Sequence, residues 1–204
     1  MATAPLSRAE SKARTRAKIL AAARRVFERR GFHGASLDQV AREAGFTKGA
    51  VYSAFDSKAD LFFALLAERA AERRTQIEGV IGEGFEGAAL VTEISRRFAQ
   101  TVAAERDWWA VVIEFATVVA RDEALRARYA EHHGAMREAI ARAVEAADGG
   151  AGNTLDPRAV ATISMALNNG LTLESLLSPG EVPPSLYIEA QAALYRGTTQ
   201  ERKP

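Results

Sequence analysis

The chain has 204 residues, 48% of them apolar and 26% charged, enough for one large or two small domains with packed cores. It contains no cysteine, so disulfide frameworks, thiolate metal sites and cysteine nucleophiles are excluded. The net charge of +1 hides a division: residues 1–58 carry 12 Lys and Arg against 5 Asp and Glu, and residues 59–204 carry 15 against 21. A small basic module ahead of a larger acidic body is the pattern of a chain that meets nucleic acid at one end, although a solvated arginine-rich helix face gives the same count.

The opening Met1–Arg8 has no apolar signal stretch. The uncharged run Ala159–Leu173 is shorter than the roughly 18 residues a membrane span needs and contains Asn168-Asn169-Gly170. A cytoplasmic protein, neither secreted nor membrane-spanning, is expected.

Prolines occur only at 5, 157, 179, 183, 184 and 204, and no stretch alternates apolar and polar residues, so an all-α fold is expected. A first helix over 10–30 places Ile19, Ala23, Val26 and Phe27 on one stripe and ends at Gly31. Ser36 is positioned to cap a second over 37–44, stopped by Gly45. Thr47 precedes a third over 48–55, and Ser57 a fourth from Lys58 to about Val80. A glycine-rich break at 79–87 separates this from helices over 88–105, 107–121 and 123–147. A loop at 148–153 follows. Asp156-Pro157 opens a helix to about Leu177, and Pro184 a last one to about Tyr195.

Two short helices joined by a glycine turn cross closely only if a small residue lies where they meet, and Ala41, Gly45 and Val51 supply that arrangement. Such a helix-turn-helix presents the start of its second helix to the major groove. The segment resembles the TetR family of one-component bacterial transcriptional regulators. The resemblance rests on Ile19-Leu20-Ala21-Ala22-Ala23 with Phe27, Gly31-Phe32, Ser36, Val40-Ala41 and Ala44-Gly45. Lys48-Gly49, Val51-Tyr52, Phe55, Ser57-Lys58 and Leu61 complete it.

The resemblance implies an N-terminal helix-turn-helix domain over 1–56 (the motif itself at about 37–56) and a ligand-binding and dimerisation domain over 57–197. Residues 198–204 are expected to form a disordered tail. It also implies phosphate contacts from Thr47, Tyr52 and Lys58, contacts at or near the bases from Lys48 and Gly49, and a further clamp at Ser36. The recognition helix offers only Ala50, Ser53 and Ala54 where longer polar side chains are common in the family, and these cannot make a bidentate purine contact. Arg14, Arg16 and Lys18 are either phosphate contacts or solvated residues of the first helix.

In the body, the helix over 107–121 is apolar on every face and is expected to be central. Trp108, Val112, Phe115 and Val119 fall on one side and Trp109 about 100° round. Glu114 is its only interior charge, either paired with Arg97 or Arg137 or turned to a ligand. With Tyr129, His133 and Met136 on the next helix, these residues are the expected lining of a pocket for a largely apolar effector. Adjacent His132 and His133 diverge and make a poor chelate, so neither metal nor cofactor is expected. Ile163, Leu167, Gly170, Leu171, Leu173, Tyr187 and Leu194 offer more apolar surface than a monomer flank hides, with Leu177 beside them. They form either an internal helix pair or, as the resemblance implies, a two-fold dimer on palindromic half-sites.

The function expected is a DNA-binding repressor released by a small molecule. An all-helical enzyme, which would need a nucleophile–base pair or metal cluster, and a non-sensing DNA-binding protein are the alternatives.

Overall fold

The computed structural model describes residues 7–148 and 154–199. The opening residues 1–6, the expected loop at 149–153 and the tail at 200–204 lie outside them. The regular elements among the described residues are helices: α1 (Arg8–Gly34), α2 (Leu37–Ala44), α3 (Lys48–Tyr52), α4 (Lys58–Gly82), α5 (Gly87–Ala104), α6 (Arg106–Val119), α7 (Glu123–Asp148), α8 (Pro157–Leu177) and α9 (Pro184–Thr198). No helix is long and apolar enough to cross a membrane among the described residues.

The chain divides into two compact units, 1–69 and 70–204. The first boundary was expected at 56, but the start of α4 belongs to the N-terminal unit. Phe62 packs edge-on against Phe27 at 5.0 Å and against Phe32 at 5.4 Å, so the first turns of α4 complete the core that α1 begins. Leu61 and Phe62 are fully buried there with Ile19, Phe27 and Val51.

Local signals account for the helix ends. Ser7 accepts from the Glu10 amide, and the Glu10 carboxylate accepts from the Ser7 amide at 2.8 Å, a capping box that starts α1 two residues ahead of the expected position. Gly31 interrupts α1 at φ 68°, and Gly45 ends α2 at φ 72°, conformations that favour glycine. Ser36 and Gln39 form a second capping box on α2. The third helix is shorter than expected, because the chain turns at Ser53-Ala54 to bury Phe55.

In the C-terminal unit, α5 packs on α9 and α7 on α8. Asp156 caps α8 with Pro157 behind it, as expected. The last helix runs past Tyr195 into the expected tail. Thr198 is buried, and its carbonyl accepts from the Thr154 amide at 2.7 Å and the Thr154 hydroxyl at 3.0 Å. These bonds hold the end of α9 where composition alone suggested disorder. α6 is amphipathic rather than apolar-buried all round: Trp108, Val111, Phe115 and Val119 are buried, while Val112, Ile113 and Glu114 are half-buried and Thr117 is exposed.

Candidate nucleic-acid interface and effector cavity

The helix-turn-helix is α2–α3. Leu37, Val40, Ala41, Val51 and Phe55 are buried in it, and Ala41 is the small residue at the crossing. α1 is tied to α2 by Glu43, which accepts from Arg25 at 2.9 Å and Arg29 at 2.6 Å. These two guanidinium groups, Arg25 first, hold the Glu43 carboxyl below its ordinary range.

The residues expected to face DNA are on the outside of this frame. Ser36, Thr47, Lys48, Gly49, Tyr52 and Ser53 are exposed and Ala50 is half-buried; Tyr52 shows 52% of its surface. The Thr47 hydroxyl oxygen accepts from the Ala50 amide at 3.2 Å and the Ser36 oxygen from the Gln39 amide at 3.3 Å. Each hydroxyl proton therefore stays available to a phosphate oxygen. Ser53 donates to the Ala50 carbonyl at 2.9 Å. The Lys48 ammonium is drawn onto Asp38 in the first turn of α2, an exposed pair of the kind worth under about 1 kcal/mol and readily exchanged for a phosphate.

Lys58 departs from expectation. Its ammonium donates to the carbonyls of Phe32 at 2.7 Å, His33 at 3.1 Å and Ala35 at 2.9 Å, and it lies 4.7 Å from the Phe32 ring centroid. Three donors on three carbonyls at the end of α1, where the helix leaves its acceptors unpaired, make a backbone clamp.

A second basic surface joins Arg16 to Arg8 and Lys12, two residues not expected to face DNA. Arg8, Lys12 and Arg16 recur every four residues on α1 and, with Ser11 and Thr15, line a cleft of about 390 Å³ against Ala50, Ser53 and Ala54. The i, i+4, i+8 spacing was the available signal. Arg16 is held there, 4.4 Å from the Phe55 ring centroid and 3.4 Å from the Ala54 carbonyl, to which it donates. Arg14 and Lys18 are exposed on α1 and do not line the cleft.

Two family descriptions fit these two units. Residues 19–65 match the model of bacterial regulatory proteins of the tetR family, and residues 87–196, more than half of the chain, match the C-terminal model of BetI-type transcriptional repressors. The chain belongs to the TetR family. One curated relative, the HTH-type transcriptional repressor AcnR of Corynebacterium glutamicum, is 32% identical over 127 residues, 62% of each chain, so the match spans about three fifths of that relative's length. The fold of a TetR-family regulator from Rhodococcus sp. superposes with a TM-score of 0.75 at 24% identity, over 92% of this chain and all of that one. A regulator from Saccharomonospora viridis, solved in complex with choline, superposes with a TM-score of 0.71 at 19% identity, over 93% of this chain and all of that one.

Within the C-terminal unit a cavity of about 70 Å³ is lined by α4, α5, α7, α8 and α9. Ile77, Leu90, Ile94, Val160 and Leu194 supply its apolar wall, and Arg73, Ser164, Asn168 and Gln191 its polar part. None of the residues expected to line a pocket lies on it. Trp108 and Phe115 are buried core residues. Trp109 packs edge-on against Phe98 at 5.6 Å, with its Nε1 buried and without a hydrogen-bond partner. Tyr129 and His133 stack at 4.0 Å on α7, with Met136 half-buried beyond them. Burial, with His132 and Arg137 nearby, pushes the His133 pKa down to about 4. Arg97, one expected partner of Glu114, instead pairs with Glu83 at 2.6 Å and Glu93 at 2.7 Å. No cluster of metal-ligating residues is found among the described residues.

The expected dimer residues separate into two groups. Tyr187 is buried against Phe98, Leu171 packs on the same cluster, and Leu194 lines the cavity. Ile163 and Leu173 are exposed, as is Gly170; Leu167 is half-buried. Together with exposed Ala166 and Leu177 they follow a 3,4 spacing along one face of α8, and nothing lies within 4 Å of where a Cβ on Gly170 would sit.

Proposed function

We propose that the protein is a cytoplasmic, homodimeric DNA-binding regulator, most simply a repressor that a small-molecule effector releases from its operator. The observation that carries this is the α2–α3 unit, whose buried apolar residues face inward while Lys48, Tyr52, Ser53 and the hydroxyls of Ser36 and Thr47 face outward beside the basic cleft of α1. In this reading Lys48, Tyr52 and the hydroxyls hold phosphates, Gly49, Ala50 and Ser53 meet base edges, and Arg8 and Lys12 extend the phosphate track. Lys58 has no DNA contact in it and serves to hold α4 to the end of α1.

The exposed stripe of α8 supports dimerisation. Ile163, Ala166, Gly170, Leu173 and Leu177 make an apolar seam at helix-pair spacing, with Gly170 allowing a second helix to approach closely. Two copies place two recognition helices on a palindromic operator. Family membership supports a regulator over an enzyme, and the cavity of the C-terminal unit supports sensing over passive DNA binding.

The test is an anisotropy titration on the DNA upstream of the protein's own gene. Lys48→Ala is expected to weaken specific binding by about 1–3 kcal/mol with an unchanged circular-dichroism spectrum, and to reduce the slope of log K against log salt by about 1. Equal affinity and slope in wild type and variant would place the interface elsewhere.

A further inference from the structure

Among the described residues Arg73 is the one charged residue lining the cavity, and no Asp or Glu of them lines it. The guanidinium reaches two protein acceptors, the Ile94 carbonyl at 3.2 Å and, more loosely, Gln76 Oε1 at 3.5 Å. It makes no ion pair among the described residues, and its nearest π-contact is the face of Phe98 at 5.0 Å. The acids closest in character to partners are already engaged: Glu83 and Glu93 sit on Arg97, and Glu93 also on Arg96. Burial, reinforced by the charge on Arg97, draws the Arg73 pKa down to about 10, so the group stays protonated near neutrality without a counter-charge.

The other polar residues of the wall settle their own bonds in one order. Gln191 Oε1 accepts from the Ser164 hydroxyl at 2.9 Å, and its NH2 donates to the Ser164 carbonyl at 3.1 Å and to Asn168 Oδ1 at 3.0 Å. That leaves Gln191 satisfied and Asn168 with an NH2 that donates to no protein acceptor. The cavity therefore offers a fork of N–H donors on a cation and an amide NH2, set in a wall of Ile, Leu and Val. Arg73 is a half-buried guanidinium with no acid lining the cavity beside it, and a carboxylate with two acceptor oxygens satisfies a guanidinium fork bidentately. A cavity of about 70 Å³ suits a small ligand, a carboxyl group with a short chain.

We propose that this cavity is the effector site and that it takes a small monocarboxylate with a short aliphatic tail, its carboxylate on Arg73 and Asn168. The assignment rests on the regulator reading for its biological role but not for its chemistry. A cation or a purely apolar molecule leaves the Arg73 charge uncompensated.

The experiment is a ligand-observed NMR titration of the full chain with butyrate, butylammonium and 1-butanol as probes, run beside operator anisotropy on the same protein. Butyrate is expected to bind at least about tenfold more tightly than either isostere, and Arg73→Met to weaken butyrate at least about tenfold, the scale of one hydrogen bond to a charged group. Asn168→Leu, which keeps the charge, is expected to weaken it about threefold or more and serves if Arg73→Met fails to fold. Absence of butyrate binding to wild type, equal binding of the three probes, or wild-type affinity in the folded variants would overturn the site. Absence of specific operator binding by the butyrate-free wild type, with butyrate binding intact, would instead overturn the regulator reading and leave the carboxylate site standing.

Discussion

In the N-terminal unit Lys58 donates to three carbonyls, Glu43 takes two arginines, and Ser7, Ser36 and Thr47 each accept from a backbone amide. In the C-terminal unit, among the described residues, Arg73 stands at a cavity without an acid, and Trp109 Nε1 and Arg137 Nε are buried with no hydrogen-bond partner. The contrast separates two ways of using polar groups. Where these polar groups have fixed partners the backbone is held in one arrangement, as the proposed DNA-reading surface would require. Where donors are left over inside a core, the folded state retains an interaction that an incoming molecule supplies.

The largest effect tests assembly of the second unit alone. Gly170→Arg places a charge in the open seam of α8, and dimerisation is expected to weaken more than a hundredfold, about 3 kcal/mol or more, while each unit keeps its helicity. Light scattering reads it directly, since wild type should show twice 22.0 kDa and the variant 22.0 kDa. A wild-type monomer at micromolar concentration would remove the seam from the comparison.

Next is Lys58→Met, which keeps the stem of the side chain and deletes the three charge-assisted bonds. A loss of about 2–3 kcal/mol confined to the N-terminal unit is expected, seen as an earlier first transition in urea, with butyrate binding unchanged. A single unshifted transition would mean that the carbonyls of Phe32 and Ala35 are satisfied without the clamp.

The smallest effect is a pH slope in the C-terminal unit. His133 has a folded pKa of about 4 against an unfolded value near 6.5, so the unfolded state binds the proton first as pH falls. Its contribution is fully present above about pH 6.5 and is lost progressively toward pH 4. His133→Gln should flatten that part of the melting curve's pH dependence; an identical slope in the variant would assign the acid sensitivity to other groups.

Legibility in the sequence followed the range of the interaction. Ser36, Gly45, Thr47 and Asp156 act on amides and carbonyls within a few residues, so caps and helix ends could be read from residue type and spacing. Lys58 could not, because its acceptors are main-chain carbonyls 23 to 26 residues away, and nothing in residue type marks a carbonyl as unpaired. This cavity lies away from the expected lining for a related reason. The apolar run of α6 is conspicuous in one dimension, but the cavity is lined by residues drawn from five helices, and Arg73 beside Arg74 looks like an ordinary solvated pair until the fold turns it inward. Tyr187 was misread as surface because an amphipathic helix with half-buried flanks gives the same composition whether it faces a partner or α5.

The composition of α3 has a consequence for how its target is changed. Its fold depends on Val51, fully buried, and on the Thr47 cap, whereas Gly49, Ala50 and Ser53 are short side chains on or near the outer face. A Cβ added at Gly49 would meet only Thr47 Oγ1, at 4.0 Å. Longer polar residues can thus be installed at 49, 50 and 53 with little strain on the helix that carries them. In the proposed regulator reading, operator preference and thermal stability are in this respect separable traits, and positions 49, 50 and 53 are open to retargeting by selection or by design.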